Sequence, residues 1–447
     1  MNTKKVVTRI PPSPTGHLHI GTVRTALFNY LFAKKYGGQV LFRSEDTDKK
    51  RSLREYEDEI IAGLNWLGIT CDNLDHIIRQ SERDDLYQKY LENLIANNRA
   101  YLSHEPSKAD PEKEVTVVRL RNPNKVITFT DLVRGEISFD TTELGDIVIA
   151  RSLSDALYHF TVVVDDYEMG VTHVIRGEDH ISNTPRQILI QEALGFPRPE
   201  YLHLPLILAP DRSKMSKRHG TVAINSYKEA GYLPAAIINY LALLGWNPGT
   251  DQELFTLEEL ITTFDITGIQ KSGAVFDLNK FLWFNRQYLQ KLTPQDFTDY
   301  LQIGNDNFSL NSPDWQRLIP SIMERINTRE EFYTDVKNGQ YDFILKDSLT
   351  YETDLLQWKK DPALEDALPR LQQILILLDK TDFSSAANIK NTLWPYVEEV
   401  GKGEVLWPLR AALSGQKYSP DPFTLAYVLG REKTLARIRE ACDRIGE

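Results

Sequence analysis

The stretch from Val6 to Arg43, VVTRIPPSPTGHLHIGTVRTALFNYLFAKKYGGQVLFR, holds two strand-like runs separated by a tightly controlled loop and a helix-like run. Val6 to Ile10 reads as a strand. Val23, Leu27, Tyr30 and Leu31 then fall at i, i+4, i+7 and i+8, the spacing of one helix face, and Gly37-Gly38 supply a stop before the second strand, Gln39 to Arg43. A strand, a crossover helix and a second strand imply a parallel pair, and hence a Rossmann-like α/β sheet. The loop between them, Arg9 to Gly21, packs three prolines, two glycines and two histidines into thirteen positions. Pro11, Pro12 and Pro14 restrict the chain after the strand, Gly16 can take a positive φ, and Gly21 lets a ligand approach the backbone where the helix begins. A helix N-terminus at that point offers free N–H groups and a favourable dipole to phosphate, with His19 at its rim.

Outward from this unit the alternation continues. An acidic turn, Glu45 to Asp48, leads into a helical pattern from Ser52 that ends at Gly68. Between about Tyr101 and Tyr158 the texture changes to short β-rich runs: VTVVRLRNP (115–123), KVITFTDLVRGEISFD (125–140) and DIVIARS (146–152). Helix-like TPRQILIQEAL (184–194) and strand-like HLPLILAP (203–210) restore the α/β pattern, so an inserted α+β domain splits one nucleotide-binding fold into two halves. From about Leu233 helical signals dominate, with Leu371, Ile374, Leu375 and Leu378 on one face and Leu435, Ile438 and Cys442 following a similar period. The expected division is 1–100 and 185–235 for the two halves, 101–184 for the insertion, and 236–320 and 321–447 for two further domains.

Composition narrows the class. A chain of 447 residues holds several domains, since one core rarely serves more than about 250 to 300 residues. With 41% hydrophobic and 26% charged residues it reads as globular, and the absence of an apolar leader or a long apolar run points to a cytoplasmic protein with no membrane span. Cys71 and Cys442 form no CxxC pair, which argues against a cysteine metal site and for packing roles. The net charge of −11 disfavours a general nucleic-acid coat but leaves room for a local basic patch such as DRSKMSKR (211–218).

That patch belongs to SKMSKRHG, Ser213 to Gly220, just after the restored strand. H-I-G in the first βα loop and K-M-S-K-R after a late strand resemble the two signature motifs of class I aminoacyl-tRNA synthetases. More narrowly, TRIPPSPTGHLHIGTVRTALFNYLFAKKYGG, RSEDTD, RQSER, VVVDDYEMGVTHVIRGEDHISNTPRQ and SKMSKRHG are similar to the bacterial glutamyl-tRNA synthetases. The resemblance is strong from Thr8 to Gly220 and continues more thinly through VFDLNKFLWFN (275–285) and WPLRAALSG (407–415) to the end of the chain.

The resemblance implies a reaction: glutamate and ATP give glutamyl-adenylate and pyrophosphate, and the glutamyl group passes to the terminal adenosine of tRNA-Glu, with Mg²⁺ arriving on ATP. It implies catalytic roles for His19, Lys214 and Lys217, and an ATP site of Pro12, Ser13, Gly16, His19, Gly21, Thr22, Lys214, Met215, Ser216, Lys217 and Arg218. Thr22 stands where the usual motif has a second histidine, a departure common in the glutamyl subfamily, and His17 occupies a position the family leaves variable. Arg9, Ser13, Glu45, Tyr158 and Arg176 match the glutamate pocket, Arg9 facing the side-chain carboxylate and Glu45 the α-amino group. Asp165-Asp166 looks like a metal pair but reads as structural. The insertion would bind the acceptor stem, residues 236–320 would contact the stem, and the helical tail would hold the anticodon arm. There, Arg325 resembles a position that restricts the third anticodon base and so favours discrimination against glutamine tRNA. Many family members hold a zinc in the insertion, but AYLSHEPSKADPEKEVTVV (100–118) has no cysteine and only His104, so no zinc is expected. A monomer is the family habit. Two other readings stand beside this one: a tRNA-modifying glutamylase, which would lack the long tail after Gly220, and a non-catalytic RNA-binding or regulatory relative, against which His19, Lys214 and Lys217 count.

Overall fold

The computed structural model of the chain describes residues 5–106, 112–215, 223–304 and 308–447. The described chain divides into two units, 1–284 and 285–447.

In the first unit, β1 (Val7–Ile10) passes through the proline loop into α1 (Ile20–Lys35) and returns as β2 (Gln39–Ser44), parallel to β1 with Arg9 opposite Leu41. The turn between α1 and β2 needs Gly37, whose φ is +61°, a backbone conformation that costs a residue with a Cβ. α1 is buried on nearly all sides because it packs on β1 and β2 and also against two later helices, so Phe28, Leu27 and Val23 are all fully covered. Each such side chain contributes roughly 1.5–3 kcal/mol of burial free energy. α2 (Arg54–Trp66) leads to β3 (Ile78–Arg79), which pairs in parallel with β2, and α3 (Asp84–Ala96) follows.

The next strands are β4 (Ala100–Pro106), β5 (Glu114–Leu120), β6 (Val126–Asp131), β7 (Gly135–Asp140), β8 (Val148–Ser152) and β9 (Asp155–Ala156). Four of them form an antiparallel sheet in the order β4-β5-β8-β9, while β6 and β7 form a hairpin. After α4 (Tyr158–Glu168) the parallel sheet resumes with β10 (His173–Gly177), α5 (Thr184–Leu194) and β11 (Glu200–Leu204). Thr172 ties β10 to β1, its N–H donating to Val7 O at 2.9 Å while its Oγ1 accepts from Val7 N at 2.9 Å.

Two features differ from the sequence reading. β10 lies inside the segment 101–184 expected to be the insertion, yet it is a strand of the parallel sheet; VTHVIRG is as β-rich as the insertion's strands, so composition does not separate them, whereas pairing does. The β6–β7 hairpin of the insertion does not stand apart either, because Asp131 pairs in parallel with Tyr201 and joins the hairpin to β11. One core accordingly runs through Leu91, Val118, Ile149, Phe160, Val164 and Ile188, spanning α3, the insertion's strands, α4 and α5.

The unit closes with β12 (Ile207–Leu208), α6 (Ile224–Ala230), α7 (Pro234–Leu243), α8 (Leu257–Thr263) and β13 (Ala274–Val275), which pairs in parallel with β12, before α9 (Leu278–Leu289). The second unit is helical among its described residues: α10 (Pro294–Gln302), α11 (Pro313–Met323), α12 (Arg329–Lys337), α13 (Asp342–Leu345), α14 (Ala367–Leu378), α15 (Ala386–Val400), α16 (Lys402–Ser414) and α17 (Pro422–Gly446). Leu371, Ile374 and Leu378 of α14 are fully buried beside Leu393, Leu409 and Val428. α17 kinks at Gly430, where φ is +72°. Among the described residues no helix is long and apolar enough to cross a membrane.

Candidate active site

The parallel strands run β3-β2-β1 on one side and β10-β11 on the other, so the strand order reverses between β1 and β10. In open α/β sheets that reversal, at the carboxyl ends of the strands, is where a ligand crevice opens. Arg9 on β1 and Arg176 on β10 stand at those ends.

The loop that follows Arg9 is pinned at three points. Pro12 O accepts from Glu45 N at 2.9 Å, Pro14 O from Leu53 N at 3.0 Å, and Leu18 O from Ile224 N at 2.8 Å. His19 is the N-cap of α1: its Nδ1 accepts from Gly21 N at 3.1 Å and from Thr22 N at 3.4 Å, and its Nε2 faces Thr22 Oγ1 at 3.1 Å. An imidazole takes the place of the usual Ser, Thr, Asp or Asn cap, and its solvent-facing position keeps it accessible. A Cβ on Gly21 would lie 3.0 Å from His19 Cε1, so a side chain there would press on the ring in its present seat. Gly16 is not in the positive-φ region, contrary to the sequence expectation; a Cβ there would meet nothing within 4 Å, so it borders open space. Ser13 is exposed beside it. His17 points elsewhere, its Nδ1 2.7 Å from Glu59 Oε2 and its ring edge against Tyr56.

The second signature begins in a tight turn after β12. Ala209 N donates to Ser213 O, Met215 N donates to Ile207 O, and Arg212 takes a φ of +65°. Lys214 Nζ lies 2.9 Å from Asp179 Oδ2, in a pair that is largely exposed. Ser216, Lys217 and Arg218 lie outside the described residues.

Beneath the loop sits a buried charge network that the sequence showed only in pieces. Arg43, fully buried on β2, donates to Asp166 Oδ1 at 2.6 Å and to Glu45 Oε1 at 2.9 Å. Arg9, 2% exposed, donates through Nε to the same Asp166 oxygen at 3.3 Å and through Nη1 to Ile175 O at 3.3 Å. Asp165 accepts from Gln80 Nε2 and Tyr87 OH and pairs with Arg83. Asp165 and Asp166 thus each face guanidinium groups of the protein. Burial would raise the Asp166 carboxyl, but the charges of Arg9 and Arg43 outweigh it and hold it below the usual range. Glu45 goes the other way: burial raises its carboxyl against the pull of Arg43. Tyr158, the first residue of α4, is 36% exposed; desolvation and then the Glu45 charge push its phenol up to about 12, and it also feels Arg176, Arg9 and Arg43.

Arg176 is the exception in this network. At 6% exposure it is a buried cation, yet its partners are neutral: His203 Nε2 at 3.1 Å from Nε, Gln187 Oε1 at 2.8 Å from Nη1, and Thr184 Oγ1 at 2.8 Å and His180 O at 3.4 Å from Nη2. Among the described residues no carboxylate pairs with it. Burial, and then the like charge of Arg9, pull its pKa below the ordinary arginine value. Asp166 reaches it only as a more distant charge, so the guanidinium is buried without a carboxylate in contact. Arg43, Gln187, Thr184 and His203 escaped the sequence reading because strand and helix patterns mark them simply as interior.

No group of three or more His, Cys, Asp or Glu side chains among the described residues is arranged to hold a metal ion. His104 is engaged by Thr116 Oγ1 at 2.9 Å. In the second unit, Arg325 lines a cavity of about 290 Å³ with Ile322, Asp335, Tyr341, Arg410 and Tyr418.

The sequence matches the family model for the catalytic domain of class I tRNA synthetases (E and Q) over residues 5–109 and 102–283, and that for an anticodon binding domain over 281–442. It is 37% identical to a glutamate–tRNA ligase of Natranaerobius thermophilus, with 99% of each chain covered, and 39% identical to that of Carboxydothermus hydrogenoformans over 96% of this chain and 98% of the relative. The chain belongs to the glutamate–tRNA ligase family. Among solved structures, a glutamate tRNA ligase from Elizabethkingia meningosepticum in complex with its amino acid superposes with a TM-score of 0.86 at 31% identity, covering 99% of this chain and 100% of that one. Membership of the ligase family accounts for the Rossmann-like sheet, the helical second unit and the two signatures together.

Proposed function

We propose that this chain is a glutamate–tRNA ligase whose amino-acid pocket is the crevice between β1 and β10. The observation that carries the reading is Arg176: a buried guanidinium held by neutral groups, beside Arg9, at the carboxyl ends of strands that flank the N-terminus of α1. An anionic ligand there meets two cations, and an α-ammonium group finds Glu45, whose carboxyl, raised by burial, gains a second countercharge beside Arg43 when the ammonium binds. Tyr158 and Ser13 complete the pocket.

In the first step an oxygen of glutamate's α-carboxylate attacks the α-phosphorus of ATP and pyrophosphate leaves. His19 and the N-terminus of α1, with Gly21 and Thr22 giving close approach to the backbone, face the phosphates; Pro12 and Gly16 shape the same loop. Lys214 and Lys217, with Met215, Ser216 and Arg218 around them, supply cations where charge builds on the leaving oxygens. The donor set suits a triphosphate, and Mg²⁺ enters as its counter-ion. In the second step a hydroxyl of the terminal adenosine of tRNA-Glu attacks the acyl carbon and AMP leaves. The insertion's strands β4 to β9 would take the acceptor stem, 236–320 the stem beyond it, and the helical unit the anticodon, with Arg325 and its cavity reading a base in favour of tRNA-Glu over tRNA-Gln.

A resident zinc, a membrane and a second subunit have no part in this scheme, which places a monomer in the cytoplasm. The match of 281–442 to an anticodon binding domain favours it over a glutamylase without that domain. The test is pyrophosphate exchange and charging with purified glutamate and glutamine tRNAs. Glutamate-dependent exchange followed by charging supports the reading; an inert protein that still binds tRNA would support the non-catalytic one.

A further inference from the structure

Arg176 is held by a chain of contacts that begins in the insertion. Asp131, the last residue of β6, accepts four N–H groups: Val133 N at 3.0 Å and Arg134 N at 2.9 Å on Oδ1, and His203 N at 3.0 Å and His203 Nδ1 at 2.7 Å on Oδ2. Asp131 and His203 are both buried, and Asp131 is itself the residue of β6 that pairs with Tyr201 of β11. The carboxylate therefore requires a hydrogen on His203 Nδ1. A neutral imidazole with hydrogen on Nδ1 has a lone pair on Nε2, and that atom lies 3.1 Å from Arg176 Nε.

We infer that Asp131 and His203 are positioning residues for glutamate binding: the carboxylate selects the imidazole tautomer, and the neutral imidazole orients Arg176 without cancelling its charge. A carboxylate at the place of His203 would pair with Arg176 and spend its charge inside the protein. With neutral acceptors on Nε, Nη1 and Nη2, the charge stays available, and one Nη1 hydrogen has no partner among the described residues. Recognition of an anionic substrate group by Arg176 thus depends on a residue of the β6–β7 hairpin, and the tie between hairpin and parallel sheet serves binding as well as packing. The inference rests on the pocket assignment above.

Two replacements of His203 separate orientation from packing. His203→Asn keeps an N–H near Nδ1 for Asp131 but removes the acceptor facing Arg176; His203→Gln puts an amide oxygen near the Nε2 position. Steady-state pyrophosphate exchange by the full chain with tRNA present is measured against L-glutamate and against ATP, alongside melting temperature. His203→Asn is expected to raise the glutamate KM about 10- to 100-fold, the range for losing one hydrogen bond to a charged group, with kcat and the ATP KM within about threefold of wild type. His203→Gln should recover most of that loss, and Asp131→Asn, which no longer dictates the tautomer, should behave as His203→Asn does. Equal KM increases in the Asn and Gln variants of His203 would reduce its role to packing and overturn the inference. So would an unchanged KM in His203→Asn when Arg176→Lys raises it. If Arg176→Lys itself leaves the glutamate KM unchanged, the pocket assignment is what fails, and the inference with it.

Discussion

Arg9 Nε donates to Asp166 Oδ1 at 3.3 Å, and both side chains are shut away from water. The guanidinium proposed to face the substrate's side-chain carboxylate is thus already anchored through Nε on Asp166 and through Nη1 on Ile175 O, and Nη2 is the nitrogen without a protein partner among the described residues. Because Asp166 also takes Arg43, loss of Arg9 leaves the carboxylate charged but less well compensated. Arg9→Gln is expected to lower kcat/KM for glutamate by on the order of 30- to 5,000-fold, equivalent to roughly 2–5 kcal/mol for a buried charged contact, and to narrow the preference for glutamate over glutamine. Arg9→Lys should keep partial activity with weaker selectivity, since it retains the charge and loses the fork. Exchange assays with both amino acids decide: an Arg9→Gln variant with undiminished preference for glutamate would remove Arg9 from side-chain recognition.

Gly21 and His19 make the second prediction. A methyl group on Gly21 would press on the imidazole at 3.0 Å, while alanine itself suits the first turn of a helix. Gly21→Ala should therefore leave the melting temperature within a few degrees of wild type and lower kcat for adenylate formation by about 10- to 100-fold through displacement of the ring. Full activity in this variant would show that the seat of His19 is immaterial to the reaction.

Lys214 pairs with Asp179 at the surface, where such a pair adds little stability. Lys214→Ala and Lys217→Ala should each cut adenylate kcat by on the order of 10² or more, with a smaller change in glutamate KM and no loss of fold. Unchanged turnover with a raised glutamate KM would assign these lysines to amino-acid binding instead.

His159 on α4 is half-buried, its Nδ1 has no hydrogen-bond partner among the described residues, and desolvation, then the charges of Arg186 and Arg176, lower its pKa to about 4. In the unfolded chain the ordinary value is 6.5, so between pH 6.5 and 4 the unfolded state binds the extra proton and stability falls as the solution is acidified. The loss has an upper bound of about 3 kcal/mol. His159→Gln should flatten urea midpoints across that window relative to wild type; an identical pH profile in the two proteins would mean that His159 titrates normally.

The expectation that no zinc is resident is tested by elemental analysis of untagged protein, which should find well under one equivalent of zinc. A tightly bound equivalent would overturn this expectation and direct attention to residues outside the cysteine pattern.

What the sequence determined by itself is local. The prolines and glycines of Arg9–Gly21 control the backbone wherever they occur, the 3.6-residue period of Val23, Leu27 and Leu31 specifies a helix without reference to partners, and the spacing of H-I-G and K-M-S-K-R carries the family. Arg9, Glu45 and Arg176 were reachable through the motifs around them. Tertiary structure decided which of the β-rich segments pair with which: VTHVIRG returns to β1 through Thr172, and the β6–β7 hairpin reaches β11 through Asp131. Strand propensity alone does not separate an insertion from the sheet it interrupts, since the half-buried strands β4 and β6 and the strands β10 and β11, buried on both faces, draw on the same β-branched and aromatic residues, and pairing between strands far apart in the chain leaves no periodic trace. The surroundings of Arg176 were decided there too. Whether a carboxylate or neutral groups face a buried arginine depends on side chains from α5 and β11 meeting β10 in space, not on anything adjacent to it in the chain, and here Gln187, Thr184 and His203 meet it, as the pocket proposed above requires.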